Sequence, residues 1–230
     1  MTLRLAIACE SPRHDGLIIR RILEYMLGDQ VTFVDHKLPE RVSSRSGVLT
    51  HATLVAKQIH LETDADALLV VADLDQDAIP PAGANLVELT ADDCAQQVAG
   101  DSLWCQLATQ VRRGLANAPP RAMSDKALRF VIGVSIPAIE AWLLCPDWDE
   151  MKWRQYSVAH PDVNKQRTEK KRMKVTVYGP GADRRPPRTA QVDAAFDSLI
   201  SSKRIDELAE RFPLGIGQVV DRLRAIAAEA

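Results

Sequence analysis

Aromatic residues make up only 5% of the 230-residue chain, cysteines number four, and no apolar run approaches 18 residues. Each shortage excludes something. Without a long apolar run there is no transmembrane helix to place. The one apolar stretch near the N-terminus, Leu5–Cys9, stops at Glu10 and is too short for the apolar core of a signal peptide. Cys9, Cys94, Cys105 and Cys145 are scattered without CxxC spacing, which argues against a disulfide framework or a zinc site and for buried thiols in a reducing compartment. A soluble, cytoplasmic protein with no membrane partner is expected. The fractions that are ordinary, 46% hydrophobic and 26% charged, fit a globular chain rather than a disordered or fibrous one. At this length one large domain, or one domain with an appendage, buries enough surface to need no staple.

Charge of one sign is missing locally. Between Lys57 and Arg112 there is no Lys or Arg, but there are ten acids, including Asp73, Asp75 and Asp77. From Lys152 to Arg188 the balance reverses, with eleven bases against Asp162, Glu169 and Asp183. Taken singly, such blocks are often solvated faces. Together, an acidic centre and a basic arm are what a metal-dependent enzyme acting on polyphosphate needs: carboxylates for the cation, bases for the backbone.

The pattern along the chain alternates. Leu3–Cys9 predicts a buried strand; Asp15 stands as an N-cap before a helical run to Leu27, with Gly28 as the stop. A short strand over Val31–Val34, a helix over Val48–Leu61 and an apolar strand over Ala67–Ala72 follow. Pro80-Pro81 closes the next loop, Asp101–Ala116 reads as a helix, and Leu128–Val134 as a fourth strand feeding a helix opened by Pro137. Such alternation predicts an α/β fold, Rossmann-like, with a mostly parallel four-stranded sheet covered by helices on both faces. Residues 1–150 form this unit. Residues 151–230, a polar basic segment and C-terminal helices, are expected as an appendage packed on it.

In open α/β sheets ligands bind outside the carboxyl ends of the strands. Two strands here run into acids: the first delivers Glu10, the third delivers Asp73-Leu74-Asp75-Gln76-Asp77. If the two strands are neighbours, four carboxylates converge within reach of hard cations. A lone DxD more often just ends a strand in a solvated loop; the strand-end Glu and the basic arm raise the functional alternative. Glu140 lies early in the helix after the fourth strand, where it could complete the cluster or serve only the helix dipole. Lys165, Arg167, Lys170, Lys171, Arg172 and Lys174 form the densest basic run, suited to several phosphates or to a surface without a partner. Arg13 and His14 in the first loop could contact phosphate, and His14 could carry a proton. Trp104, Trp142, Trp148 and Trp153 read as core residues, because no aromatic interleaves the basic run.

Ala6-Ile7-Ala8-Cys9-Glu10-Ser11-Pro12 before a helix resembles the opening motif of Toprim domains, the catalytic unit shared by topoisomerases, primases and OLD-family nucleases. Val70-Val71-Ala72-Asp73-Leu74-Asp75-Gln76-Asp77 resembles the second Toprim motif. The length and the Val134–Leu144 segment are similar to small stand-alone bacterial Toprim-like proteins, suspected of roles in phage defence. Those proteins usually have Gly after the Glu and a second acid a few residues on. Here Ser11 stands in place of the Gly and Asp15 is the nearest acid. The resemblance implies a Mg²⁺-dependent nuclease, with Mn²⁺ as a substitute ion. Asp73 and Asp75 would hold the metal, Glu10 would be general acid/base or a further ligand, and Asp77 and Glu140 would be additional ligands. It further implies nucleic acid as substrate, DNA rather than RNA, a homodimer, and an ATPase partner encoded separately.

Two rivals remain open. A Toprim-like fold can serve as a non-catalytic nucleic-acid-binding or regulatory subunit. A DxD after an apolar strand also opens haloacid-dehalogenase-type phosphatases, but there it follows the first strand and needs Thr or Val where Asp77 stands. The last segment places Leu214, Val219, Val220, Leu223 and Ile226 at near-helical spacing, a stripe to be buried on its own sheet or against a second copy.

Overall fold

The computed structural model describes residues 2–36, 45–74, 103–116 and 118–229. Four parallel strands form one sheet in the order β2-β1-β3-β4: β1 (Leu3–Cys9), β2 (Val31–Phe33), β3 (Ala67–Asp73) and β4 (Arg129–Ser135). The α/β expectation holds, with each strand edge within about two residues of its predicted place. β3 is apolar along its length because neighbours on both sides and helices on both faces remove it from water.

α1 (Asp15–Leu27) buries Ile18, Ile19, Ile22, Leu23 and Leu27 on one stripe and ends at Gly28, whose φ of 53° is a conformation suited to glycine. Asp15 is the first helical residue, with His14 in the cap position and no side-chain cap bond. α2 (Arg45–Glu62) and α3 (Leu103–Ala116) pack together closely; a Cβ on Gly114 would come within 2.3 Å of the Thr53 carbonyl oxygen. α4 (Ile139–Leu143) follows β4.

The basic segment is not an irregular stretch. It forms α5 (Glu150–Ala159) and α6 (Val163–Tyr178), capped by the Asp149 and Asp162 carboxylates, which accept from the Lys152 and Asn164 amides. Its Lys, Arg, Gln and Glu content favours helix, and only Glu169, Met173 and Tyr178 of α6 are buried, so no broad apolar stripe announced it. α7 (Thr189–Ser201), α8 (Leu208–Arg211) and α9 (Gln218–Glu229) complete the chain.

α9 lies against β4 and α1. Gly133 of β4 admits it: a Cβ there would sit 2.8 Å from a Val219 methyl. Leu214, Val219, Val220, Leu223 and Ile226 are all buried within this chain, so the stripe that could have called for a second copy is covered by the protein's own sheet. Cys9, Cys105 and Cys145 are buried free thiols, while Cys94 lies outside the described residues. Among the described residues no helix is long and apolar enough to cross a membrane.

Candidate functional site

β1 leads to β2 on one side and pairs with β3 on the other, so the chain reverses direction across the sheet between β1 and β3. At such a point the loops after the two strands diverge and leave a crevice. Glu10 follows β1 and Asp73 ends β3, at the same edge. Although 63 residues apart, they touch: the Asp73 amide donates to Glu10 Oε1 at 3.0 Å. Opposite Asp73 in the ladder is Ser135, the last residue of β4, whose hydroxyl donates to Asp73 Oδ1. Asp15 reaches the same small pocket from the first turn of α1, with Cys9 and Ile139 in its wall.

Glu140, in the first turn of α4, is buried. Lys174 Nζ, from α6, lies 3.6 Å from its Oε1, whereas its Oε2 is buried with no hydrogen-bond partner. A buried carboxylate oxygen left this way is costly unless something positive meets it.

The electrostatics show how closely these groups crowd. Burial, then Asp73, Glu140 and Glu10, push the Asp15 carboxyl well above the usual carboxylate range. Burial raises Glu140, Lys174 holds it down, and Asp73 raises it further. Lys174 is raised chiefly by Glu140 and then by Asp73, Asp15 and Glu10. Burial, then Glu140, Asp15 and Asp73, raise the Tyr178 hydroxyl. Four carboxylates thus crowd around Lys174, an arrangement that favours either retained protons or an added cation.

An all-oxygen donor set suits a hard ion such as Mg²⁺, and the partnerless Glu140 Oε2 fits a ligand role. Among the described residues no three acid, histidine or cysteine side chains converge tightly enough to make a complete ligand set. Asp75 and Asp77, which were expected to contribute, lie outside the described residues.

The predicted basic residues divide. Lys170 and Lys174, four apart on α6, both hold down the pKa of Glu140, so this side of α6 turns toward the buried acids. Lys165, Arg167 and Lys171 are exposed. Arg172 is engaged by the buried Glu169, at 2.5 and 3.0 Å. Arg13 is exposed beside the pocket. His14 meets the Ser11 hydroxyl at 2.7 Å through Nδ1 and faces the Pro187 carbonyl, which brings the loop carrying Arg184, Arg185 and Arg188 to the same edge. Burial lowers the His14 pKa.

Sequence reasoning missed Asp15 as a site residue because an acid before a helix reads as a cap. Its place five residues after a strand-end Glu, as the nearest acid to it in that loop, was the available signal. Ser135 also gave a signal, as the strand-end residue of β4. No protein-family model, curated protein or solved structure matches the chain.

Proposed function

We propose that the protein is a Mg²⁺-dependent phosphodiesterase of Toprim type that cleaves nucleic acid. The observation that carries this reading is the convergence of Glu10, Asp15 and Asp73 on one pocket, with the buried Glu140 and its partner Lys174 close enough to act on them electrostatically. Glu10, Asp73 and Glu140 would hold the ion, joined by Asp75 and Asp77 from the adjoining segment. Bound there, Mg²⁺ would neutralise charge developing on a phosphoryl group.

The chain's own residues supply the rest. The Ser135 hydroxyl orients the Asp73 carboxylate and the Asp73 amide orients that of Glu10, so that little reorganisation is needed on binding. Lys174 Nζ, 3.6 Å from Glu140 Oε1 and still partly exposed, offers a positive charge to the phosphate. Arg13 and the outward bases Lys165, Arg167 and Lys171 steer the backbone toward the pocket. A carboxylate of the cluster moves the proton.

The test is incubation with plasmid, single-stranded DNA and RNA in Mg²⁺, Mn²⁺ or EDTA. Metal-dependent cleavage that disappears with EDTA is expected. Binding indifferent to chelator, with no cleavage of any substrate, would replace the nuclease with a nucleic-acid-binding subunit.

A further inference from the structure

Three stacked rings, Trp153, Tyr156 and His160, run from the core to the surface at the α5–α6 turn, with Trp148 packed tilted and edge-on beside the inner two. Trp148 and Trp153 have centroids 6.0 Å apart, Trp153 and Tyr156 stack at 5.4 Å and 22°, and Tyr156 and His160 stack at 4.4 Å and 16°. Trp153 is fully buried, while Tyr156 and His160 are half-buried, so the outer two near-parallel rings reach solvent. Core packing explains Trp153. His160, between two exposed valines (Val158 at 82% and Val163 at 37% exposure), is instead held at the outer end of the stack by a bond between its Nδ1 and the Tyr156 carbonyl at 3.1 Å.

The ladder runs beside the basic helix. The Tyr156 hydroxyl donates to the Lys165 carbonyl at 3.4 Å, and the Gln166 amide donates to the His160 carbonyl at 2.9 Å. Rings from α5 and exposed bases from α6, Lys165, Arg167 and Lys171, therefore lie on adjoining surface. Stacked rings flanked by a positive track are the two components of single-strand recognition: the bases hold phosphates, and the rings take unpaired nucleobases. Along α6, Lys165 is nine residues from Lys174, about 13 Å at 1.5 Å per residue. That corresponds to roughly four nucleotides at the 3.4 Å spacing of one duplex strand.

We propose that His160 and Tyr156 are the outer end of a base-stacking platform, on which a strand crossing α6 toward the carboxylate pocket lays an unpaired base. The proposal rests on the nucleic-acid reading above and deepens it: the favoured substrate has single-stranded character near the cleavage site. Fully paired duplex offers no free base face and would meet only the charges.

The experiment measures binding in EDTA, so that cleavage plays no part. Single-stranded DNA and RNA oligonucleotides carrying 2-aminopurine, and a blunt DNA duplex of equal length, are titrated into the full chain. Expected results are tighter binding of single strands than of duplex, and quenching of the 2-aminopurine. His160→Ala should weaken single-strand binding about 5- to 150-fold, the range for loss of one stacked base, without changing duplex binding. His160→Phe, which keeps a ring, should restore binding and quenching. Lys171→Ala should weaken single strands and duplex alike. The DNA and RNA arms identify which single strand is preferred, and either preference supports the platform. Equal affinity of parent and His160→Ala for single strands, a preference for duplex, or no binding to any nucleic acid would overturn it. Stacking by a protein that never cleaves supports the platform and overturns the nuclease reading instead.

Discussion

The two ends of the sheet treat charge in opposite ways. At the amino ends of the strands Asp64, Asp66 and Glu229 each meet an arginine side chain or an amide. Arg4 lies 2.6 Å from Asp64, its amide donates to Asp66 at 3.0 Å, and Arg129 lies 2.6 Å from Glu229. Arg121 donates to the Thr63, Ala65 and Lys126 carbonyls at 3.1, 2.6 and 2.8 Å, tying the end of α2 to the loop before β4. At the carboxyl ends four acids crowd around Lys174, and one buried oxygen of Glu140 has no partner. Pairing serves stability; unbalanced like charge held in place serves binding, because it costs stability unless a ligand offsets it.

Asp73→Asn breaks this comparison at its centre and should have the largest effect. Asn keeps an oxygen to accept from Ser135 but removes the charge. Metal-dependent cleavage should fall by at least about 100-fold, measured on plasmid, while the melting temperature stays level or rises slightly as repulsion with Asp15 and Glu140 is relieved. A variant that cleaves normally would remove Asp73 from the chemistry. One that melts several degrees lower would show that this acid supports the fold, like those at the paired end.

How much of this was legible follows from what each residue's neighbours in sequence reveal. Glu10 and Asp73 terminate apolar runs, and strand-end acids in an alternating α/β pattern fall at one edge whatever the details of packing. Asp15 obeys the capping rule and the site at once, and sequence shows only the rule. Lys174 was visible as one of six bases, but its separation from Lys171 and Arg172 requires the helical phase of α6, which polar residues on nearly every face obscure. The ring ladder was hidden differently. Its members sit on α5 and at its two ends while the bases sit on α6, so no aromatic interleaves the basic run, and the two meet only when the turn at His160 brings the helices together. The C-terminal stripe was plain, but its cover was not; a pattern shows that a face must be buried, and the opened surface of β4 at Gly133 shows where.

Glu150 sharpens the comparison as a third case, a buried carboxylate held by amides. Its Oε1 accepts from the Leu214 and Gly215 amides at 2.9 and 2.8 Å in the irregular turn Pro213–Gly217, yet burial outweighs those bonds and lifts its pKa to about 7. The folded protein therefore keeps a proton that the unfolded chain loses above about 4.5. Stability is full below that pH and declines as pH rises to about 7, by an expected 1–3 kcal/mol. Asp15 and Glu140, also raised, add to the same slope. Glu150→Gln should remove part of the decline between pH 4.5 and 7, read from denaturant midpoints. An unchanged slope would assign all of it to the pocket acids.

The paired end itself contains a gradient, and two arginines test it. Arg121→Ala should cost about 1–3 kcal/mol, because it strips donors from part-buried carbonyls, and cleavage should be unaffected. At about 2–4 °C per kcal/mol for a chain of this size, the loss is readily seen by melting. Arg129→Ala should do much less. Its ion pair with Glu229 is short, but the two side chains are 40% and 60% exposed, so water and salt screen the attraction and holding two long side chains offsets most of it. A change within about 0.5 kcal/mol is expected, shrinking further at 0.5 M salt as the Debye length falls below about 5 Å. Arg129 also opens β4, with its amide donating to the Asp66 carbonyl at 3.0 Å, a bond that alanine preserves. A large, salt-insensitive loss in Arg129→Ala would therefore point to the side-chain stem, over the start of β4, as the stabilising element rather than the charge.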